Sequence, residues 1–95
     1  MGFVEIRAVQ VQVIGRVQGV GFRWTTQQQA TALGVHGWVR NRPDGSVEAW
    51  LEGPGQAVAA MLEWLEQGPA YAVVRELKVV EGEPAGLHRF VVRRG

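Results

Sequence analysis

Two stretches of this chain have apolar residues at helical spacing, and each lies between stretches in which apolar and polar residues alternate. Alternation with a period of two is typical of half-buried strands, so the chain switches repeatedly between strand and helix. Glycine and proline cluster where the pattern changes, as expected at helix ends and in turns. In order, the pattern predicts a strand at 5–14, a helix from Phe22 to Leu33, strands at 35–41 and 46–52, a helix between Gly53-Pro54 and Gly68-Pro69, and a strand at 77–80.

This order predicts an α+β fold of the ferredoxin-like type, a β-α-β-β-α-β sandwich in which an antiparallel sheet carries two helices on one face. A short apolar run at 90–92 either continues the edge formed by the fourth strand or adds a fifth strand, whereas 70–75 and 81–88 show no clear pattern. The chain has 95 residues, enough for one hydrophobic core but not for two. We therefore expect residues 1–95 to form a single domain.

The charge and cysteine content exclude several classes of function. A formal net charge of +1 is too small for binding nucleic acid or a membrane surface through bulk electrostatics. The chain has no cysteine and only two histidines, far apart in sequence, which argues against a metal site. Within residues 1–45, five arginines outnumber two carboxylates, and the planar guanidinium group suits phosphate and carboxylate. The charge pattern therefore favours a small anion as the ligand.

The predicted topology brings three polar features to one edge of the sheet. Strands one and two are joined by a helical crossover and so run parallel, which places their carboxyl ends at the same edge. A glycine-rich turn at 15–21 follows strand one, and Arg23 lies at the start of the helix after it. Asn41 ends strand two with the parity of Val35 and Val39, so we expect its side chain to point towards Arg23.

The glycine-rich turn is a candidate anion-binding loop. Gly15, Gly19 and Gly21 allow several backbone N–H groups to face one anion at a helix N-terminus. Steric need alone accounts for glycine in such a turn equally well, and the spacing matches neither the P-loop nor the dinucleotide-binding motif. On residue types alone, both interpretations stay open.

Longer stretches of the chain point to one family. The sequence reads GRVQGVGFR at 15–23, GWVRN at 37–41 and DGSVE at 44–48, with EGP at 52–54 and FVVR at 90–93. Taken together, these stretches resemble the acylphosphatase family nearly from end to end. The resemblance implies a ferredoxin-like fold and the hydrolysis of acyl phosphates to a carboxylate and inorganic phosphate, without a metal or cofactor.

The resemblance also implies roles for individual residues. The arginine that matches Arg23 holds the phosphoryl group, and the asparagine that matches Asn41 positions the attacking water. The loop whose backbone N–H groups assist Arg23 consists here of Arg16, Val17, Gln18, Gly19, Val20, Gly21 and Phe22. We expect a small-molecule acyl phosphate as substrate, inorganic phosphate as product and inhibitor, and a monomeric, cytoplasmic enzyme that binds neither nucleic acid nor membrane.

Arg23 and Asn41 also have residue types that suit purely structural roles. A structural ion pair would account for Arg23, and Asn41 has a residue type that caps turns such as the one at 42–45. His36 has the opposite parity to Asn41, so we expect it to point away from the site. The main rival function is a domain that binds a small anion without hydrolysing it. An RNA-recognition domain is disfavoured, because its glycine–aromatic motif lies on the third strand rather than before a helix.

Overall fold

The structure, a computed structural model, describes residues 4–94 and contains the predicted elements in the predicted order. Neither helix in this part of the chain has the length and apolar character needed to cross a membrane. The elements are β1 (Ile6–Arg16), α1 (Phe22–Leu33), β2 (His36–Asn41), β3 (Val47–Pro54), α2 (Gly55–Gln67), β4 (Val73–Gly82) and β5 (Phe90–Val92).

Within residues 4–94, five strands form one sheet in the order β4-β1-β3-β2-β5. β3 lies antiparallel between β1 and β2, so β1 and β2 run parallel to each other, as predicted. β4 pairs antiparallel with β1 at one edge, and β5 pairs parallel with β2 at the other. The ferredoxin-like α+β fold is confirmed. The sheet is mixed rather than wholly antiparallel, because the chain returns after β4 to the far edge and runs alongside β2.

The hydrophobic core lies between one face of the sheet and the two helices, which contact each other as well as the strands. Full burial of each large apolar side chain contributes about 1.5–3 kcal/mol, so this packing holds α1 against the sheet and fixes where the helix begins. Completely buried members of the core include Val9, Val11 and Val13 of β1, Val39 of β2, Leu51 of β3, Ala30 of α1, and Met61 and Leu65 of α2.

Several element boundaries differ from the predicted ones. β4 begins at Val73 rather than near Leu77, because it is an edge strand with mostly exposed side chains and so has no clear hydrophobic alternation. β3 continues to Pro54, so α2 begins only at Gly55. The short run at 90–92 is a separate strand, which settles the alternative left open by the sequence.

Candidate active site

A pocket of about 350 Å³ opens where β1 leads into α1, beside the end of β2. Gly19, Gly21, Arg23 and Asn41 all line it. These residues lie close together because β1 and β2 run parallel, which brings their carboxyl ends to one edge of the sheet. None of the described residues that line the pocket carries a carboxylate, so an anion bound there meets no like charge from its walls.

The loop at 17–21 turns the chain from β1 into α1. Gly19 and Gly21 both have a φ of 76°, in the left-handed region that favours glycine. Gly21 is the N-cap of α1 and provides no side chain to bond the first turn, which also contains no acidic residue. The N–H groups of a first turn have no partner within their helix, so here they remain available to an anion, together with the positive end of the helix dipole.

Three apolar side chains anchor this loop. Val17 and Phe22 are almost completely buried, and Val20 packs against the same core. Val17, Gly19, Gly21 and Phe22 line the pocket, whereas Gln18 and Val20 do not. The core therefore anchors the loop at both of its ends and at Val20.

Gln18 ties the loop to the β2–β3 turn. Its Nε2 donates hydrogen bonds to the carbonyl oxygens of Arg42 at 2.7 Å and Ser46 at 2.9 Å. From sequence, Gln18 is expected to contribute only its backbone N–H group. The sequence does not reveal the role of the Gln18 side chain, because both of its hydrogen-bond partners are main-chain oxygens whose positions depend on the fold.

Gly15 and Arg16 lie in β1 rather than in the loop. Gly15 pairs with Val74 and Arg16 with Val73, after a register shift between Ile14 and Gly15 that skips Arg75 of β4. A Cβ on Gly15 would lie 2.1 Å from the carbonyl oxygen of Val73, so the close approach of β4 requires glycine there. Steric need therefore accounts for Gly15. Arg16 is exposed and does not line the pocket, so the structure does not bring it together with Arg23 and Asn41.

Arg23 is the second residue of α1. Its Nη1 donates a hydrogen bond to the carbonyl oxygen of Arg93, 3.1 Å away, in the segment after β5. Among residues 4–94, no carboxylate lies within ion-pair distance of its guanidinium group. This part of the chain therefore offers no support for the alternative that Arg23 is a structural ion-pair partner.

Asn41 is the last residue of β2, and it lines the pocket. Its Oδ1 is buried and has no hydrogen-bond partner among the described residues. The turn at 42–45 is instead stabilised by Asp44, whose Oδ1 accepts hydrogen bonds from the N–H of Ser46 at 2.9 Å and from its hydroxyl at 2.6 Å. Asn41 is thus free of the capping role considered for it, and a buried unpaired oxygen calls for a donor that the described residues do not supply.

The arginines on either side of Asn41 are paired on the opposite face of the sheet. Arg40 and Arg42 both approach Oε1 of Glu48, at 2.6 Å and 3.5 Å. Glu48 also accepts a hydrogen bond from Gln10. Burial alone would raise the pKa of Glu48, but the hydrogen bonds from Arg40 and Gln10 and the two positive charges lower it below its ordinary value. Both arginines are therefore engaged with a carboxylate.

A second buried carboxylate, Glu52, holds the segment that leads to β5. It is 4% exposed and accepts a hydrogen bond from Nε1 of Trp50 at 2.7 Å. Three consecutive backbone N–H groups, those of Ala85, Gly86 and Leu87, also donate to it at 2.9 Å each. Burial raises the pKa of Glu52, but these hydrogen bonds outweigh that effect and lower it overall.

His36 belongs to the same region and not to the pocket. Its Nδ1 lies 2.8 Å from the carbonyl oxygen of Leu87, on the side of the sheet predicted from its parity. Within residues 4–94, no group of three histidine, cysteine, aspartate or glutamate side chains is arranged so that it could hold a metal ion.

Comparison with known proteins identifies the family. The acylphosphatase family model matches residues 9–92. The acylphosphatase of Thermococcus kodakarensis is 52% identical over 88 residues, covering 93% of this chain and 96% of that protein. The acylphosphatase of Trichormus variabilis is 52% identical over 90 residues, covering 95% and 89%. The crystal structure of the Bacillus subtilis acylphosphatase superimposes with a TM-score of 0.89 at 38% identity, covering 94% of this chain and 99% of that one. The family model covers most of this chain, and the chain covers nearly the whole length of these relatives. This chain therefore belongs to the acylphosphatase family.

Proposed function

We propose that this acylphosphatase hydrolyses its acyl phosphate substrate in the pocket at the start of α1, without a metal ion. The observation that carries the assignment of the site is that Arg23, Asn41 and the glycines of the loop line one pocket, with the buried Oδ1 of Asn41 left unpartnered by the described residues. These three features act separately, because the loop and Arg23 hold the phosphoryl group whereas Asn41 holds the water.

The phosphoryl group binds at the N-terminus of α1. Its oxygens accept hydrogen bonds from the N–H groups of the loop and of the first turn of the helix, where the helix dipole also favours negative charge. Arg23 adds a permanent cation with several donors, of which one already bonds the carbonyl oxygen of Arg93. This contact orients the guanidinium group without neutralising it, since a carbonyl oxygen carries no net charge.

Asn41 positions the nucleophile. Its unpaired Oδ1 accepts a hydrogen bond from a water molecule and turns the water's oxygen towards phosphorus. The new bond forms between the water oxygen and phosphorus, while the bond from phosphorus to the acyl oxygen breaks. One proton of the water passes to a phosphoryl oxygen of the substrate, so the products are a carboxylate and dihydrogen phosphate.

The leaving group accounts for the restriction to acyl phosphates. A carboxylate is stable at neutral pH and departs without protonation, whereas an alkoxide needs a general acid. The described lining of the pocket contains no carboxylic acid or histidine that could serve as one. Phosphate monoesters are therefore poor substrates in this proposal.

The test compares benzoyl phosphate with phenyl phosphate in the presence of excess chelator. The two compounds share an aromatic ring and a phosphoryl group but differ in the leaving group. We expect benzoyl phosphate to be hydrolysed about 10²-fold faster or more, with no loss in the chelator. Comparable rates on both compounds, or activity that disappears with chelator and returns with magnesium or zinc, would contradict the mechanism.

The rival function is binding of a small anion without turnover, and the same pocket would serve it. Inorganic phosphate binding with no hydrolysis of either acetyl or benzoyl phosphate would favour this alternative. The proposal further includes that residues 1–95 act as one catalytic domain, that the enzyme works as a cytoplasmic monomer, and that inorganic phosphate inhibits it as a competitive product.

A further inference from the structure

The pocket has an apolar component that the phosphoryl chemistry does not use. Trp24 and Val92 line it alongside Arg23 and Asn41. Their side chains are 64% and 39% exposed, respectively. Trp24 belongs to α1 and Val92 to β5, so two different elements supply this part of the lining.

Trp24 contributes little to the hydrophobic core. Its neighbour Phe22 is buried, whereas Trp24 is absent from the core cluster and from the apolar side chains packed against it. A single exposed apolar residue needs no special account. A tryptophan that follows Arg23 directly in sequence, and shares a pocket with a second exposed apolar side chain, does need one.

The position of Trp24 matches the place where the acyl group must lie. The carbonyl carbon of an acyl phosphate is joined to phosphorus through a single oxygen, so a phosphoryl group held by Arg23 keeps the acyl group in the same pocket. Trp24 and Arg23 line the same pocket, so an acyl group joined to a phosphoryl group held by Arg23 lies in a cavity that Trp24 helps to form.

Gln27 holds the two apolar walls together. Its Nε2 donates a hydrogen bond to the carbonyl oxygen of Phe90 at 3.1 Å, which joins α1 to β5. Trp24 and Val92 are thus carried by two elements that are joined by a hydrogen bond. Gln27 also lines the pocket. The hydrogen bond therefore links the backbone elements that carry the two apolar walls.

We propose that Trp24 and Val92 form an acyl-group subsite that favours acyl phosphates with an aromatic or bulky apolar acyl group over acetyl phosphate. This inference rests on the function proposed above. The aromatic face of Trp24 stacks on the acyl group, and Val92 adds apolar contact, so a larger apolar group removes more of both surfaces from water. An acetyl group is too small to cover the indole.

The experiment measures kcat/KM for benzoyl phosphate and acetyl phosphate with the wild-type enzyme and the Trp24→Ala and Trp24→Phe variants. The intrinsic reactivities of the two substrates cancel when each variant is compared with the wild type on the same compound. Trp24→Ala should lower the value for benzoyl phosphate about tenfold and that for acetyl phosphate by less than about twofold. Trp24→Phe retains an aromatic face and should keep most of the preference.

Two further variants sharpen the test. Val92→Thr keeps the branched shape but replaces one methyl group with a hydroxyl group, and it should lower kcat/KM for benzoyl phosphate by about threefold. Tyr71→Ala is the matched control, because Tyr71 is an aromatic residue that is 82% exposed and does not line the pocket. Tyr71→Ala should leave kcat/KM unchanged for both benzoyl phosphate and acetyl phosphate.

Inhibition by inorganic phosphate separates the subsite from the phosphoryl site. Trp24→Ala should leave the inhibition constant unchanged, since phosphate has no acyl group. Equal losses on both substrates, a weaker phosphate inhibition, or no selective loss on benzoyl phosphate would overturn the subsite. If the wild-type enzyme hydrolyses neither compound, it is the proposed function that fails.

Discussion

Arg23 and Asn41 differ in which of their hydrogen-bonding groups have no partner among the described residues. Arg23 has several N–H donors, of which one is bonded to the carbonyl oxygen of Arg93. Asn41 presents a buried acceptor with no partner. Since one group offers charge and the other offers orientation, we expect their removal to affect binding and turnover in different proportions.

Arg23→Ala should weaken inhibition by inorganic phosphate and reduce turnover by about 10³-fold or more, because it removes the cation from a site that binds a dianion before and during transfer. Arg23→Lys should recover little of either, since an ammonium group cannot reproduce the planar fork of donors. Steady-state kinetics with phosphate as inhibitor measure both effects. An alanine variant with near-normal turnover would remove Arg23 from the site.

Asn41→Ala should lower kcat by about 10²-fold, or roughly 3 kcal/mol of transition-state stabilisation, with phosphate affinity nearly unchanged. Asn41→Asp should do no better, because its charge repels the phosphoryl oxygens and competes for Arg23. Circular dichroism must first show that the variants fold, since Asn41 precedes the β2–β3 turn. Equal losses of phosphate binding and turnover would argue against a role in holding water.

The positions of these two residues could be predicted from simple rules. The parity of Asn41 with Val39 and the helical crossover before β2 are both visible in the sequence. The carbonyl partner of Arg23 could not be predicted, because a main-chain oxygen can belong to any residue and its place depends on how β5 pairs. The sequence shows a tryptophan at position 24, but it does not show that this side chain is exposed.

At the scale of elements, predictability follows burial. β1 alternates between buried and exposed side chains and its pattern predicts it well, whereas β4 is exposed along nearly all of its length and its pattern predicts too short a strand. The same physical limit applies to β5, a strand of three residues whose parallel pairing with β2 depends on where the preceding segment is held. That segment is held by Glu52, through hydrogen bonds that no local pattern indicates.

Gln18 provides a test of how the loop is attached. Gln18→Leu removes two hydrogen bonds and leaves the carbonyl oxygens of Arg42 and Ser46 without this donor. We expect the free energy of unfolding to fall by about 1–2 kcal/mol and kcat/KM to fall about tenfold, because the loop loses its link to the turn next to Asn41. Denaturant unfolding and steady-state kinetics measure the two quantities.

Gln12→Leu is the matched control for this prediction. Gln12 also bonds the β2–β3 turn, through the side chains of Ser46 at 3.2 Å and Asp44 at 3.4 Å, but it lies in β1 and does not line the pocket. This variant should lose stability without a comparable loss of activity. Similar losses of activity in both variants would mean that the turn, and not the loop, is what Gln18 supports.

For the molecule as a whole, the buried carboxylates Glu48 and Glu52 contribute to the dependence of stability on pH in acid. The pKa of each is lowered in the folded state from an ordinary value of 4.5. Their stabilising contribution is therefore fully present above about pH 4.5, where the unfolded chain is also ionised, and is lost as the pH falls through the lower folded-state pKa. The free energy of unfolding should decline progressively below that pH.

Glu52→Gln tests this pH dependence. The amide keeps one oxygen acceptor but has no charge, so the variant should be less stable by about 2 kcal/mol at pH 7 and should lose less further stability in acid. Urea unfolding at a series of pH values measures both the offset and the slope. An unchanged slope between about pH 5 and pH 3, relative to the wild type, would show that Glu52 is not one of the groups responsible.

The hydrogen bond between Arg23 and the carbonyl oxygen of Arg93 joins residues 70 positions apart in the chain. Closing so long a loop costs chain entropy, which only the nearly complete sheet can offset. A local unit such as the β2–β3 hairpin contains Asn41 but neither the glycine loop nor the segment after β5. Competence for catalysis should therefore return late when the unfolded chain is diluted from denaturant, so that an enzyme assay times the final long-range closure rather than the first appearance of secondary structure.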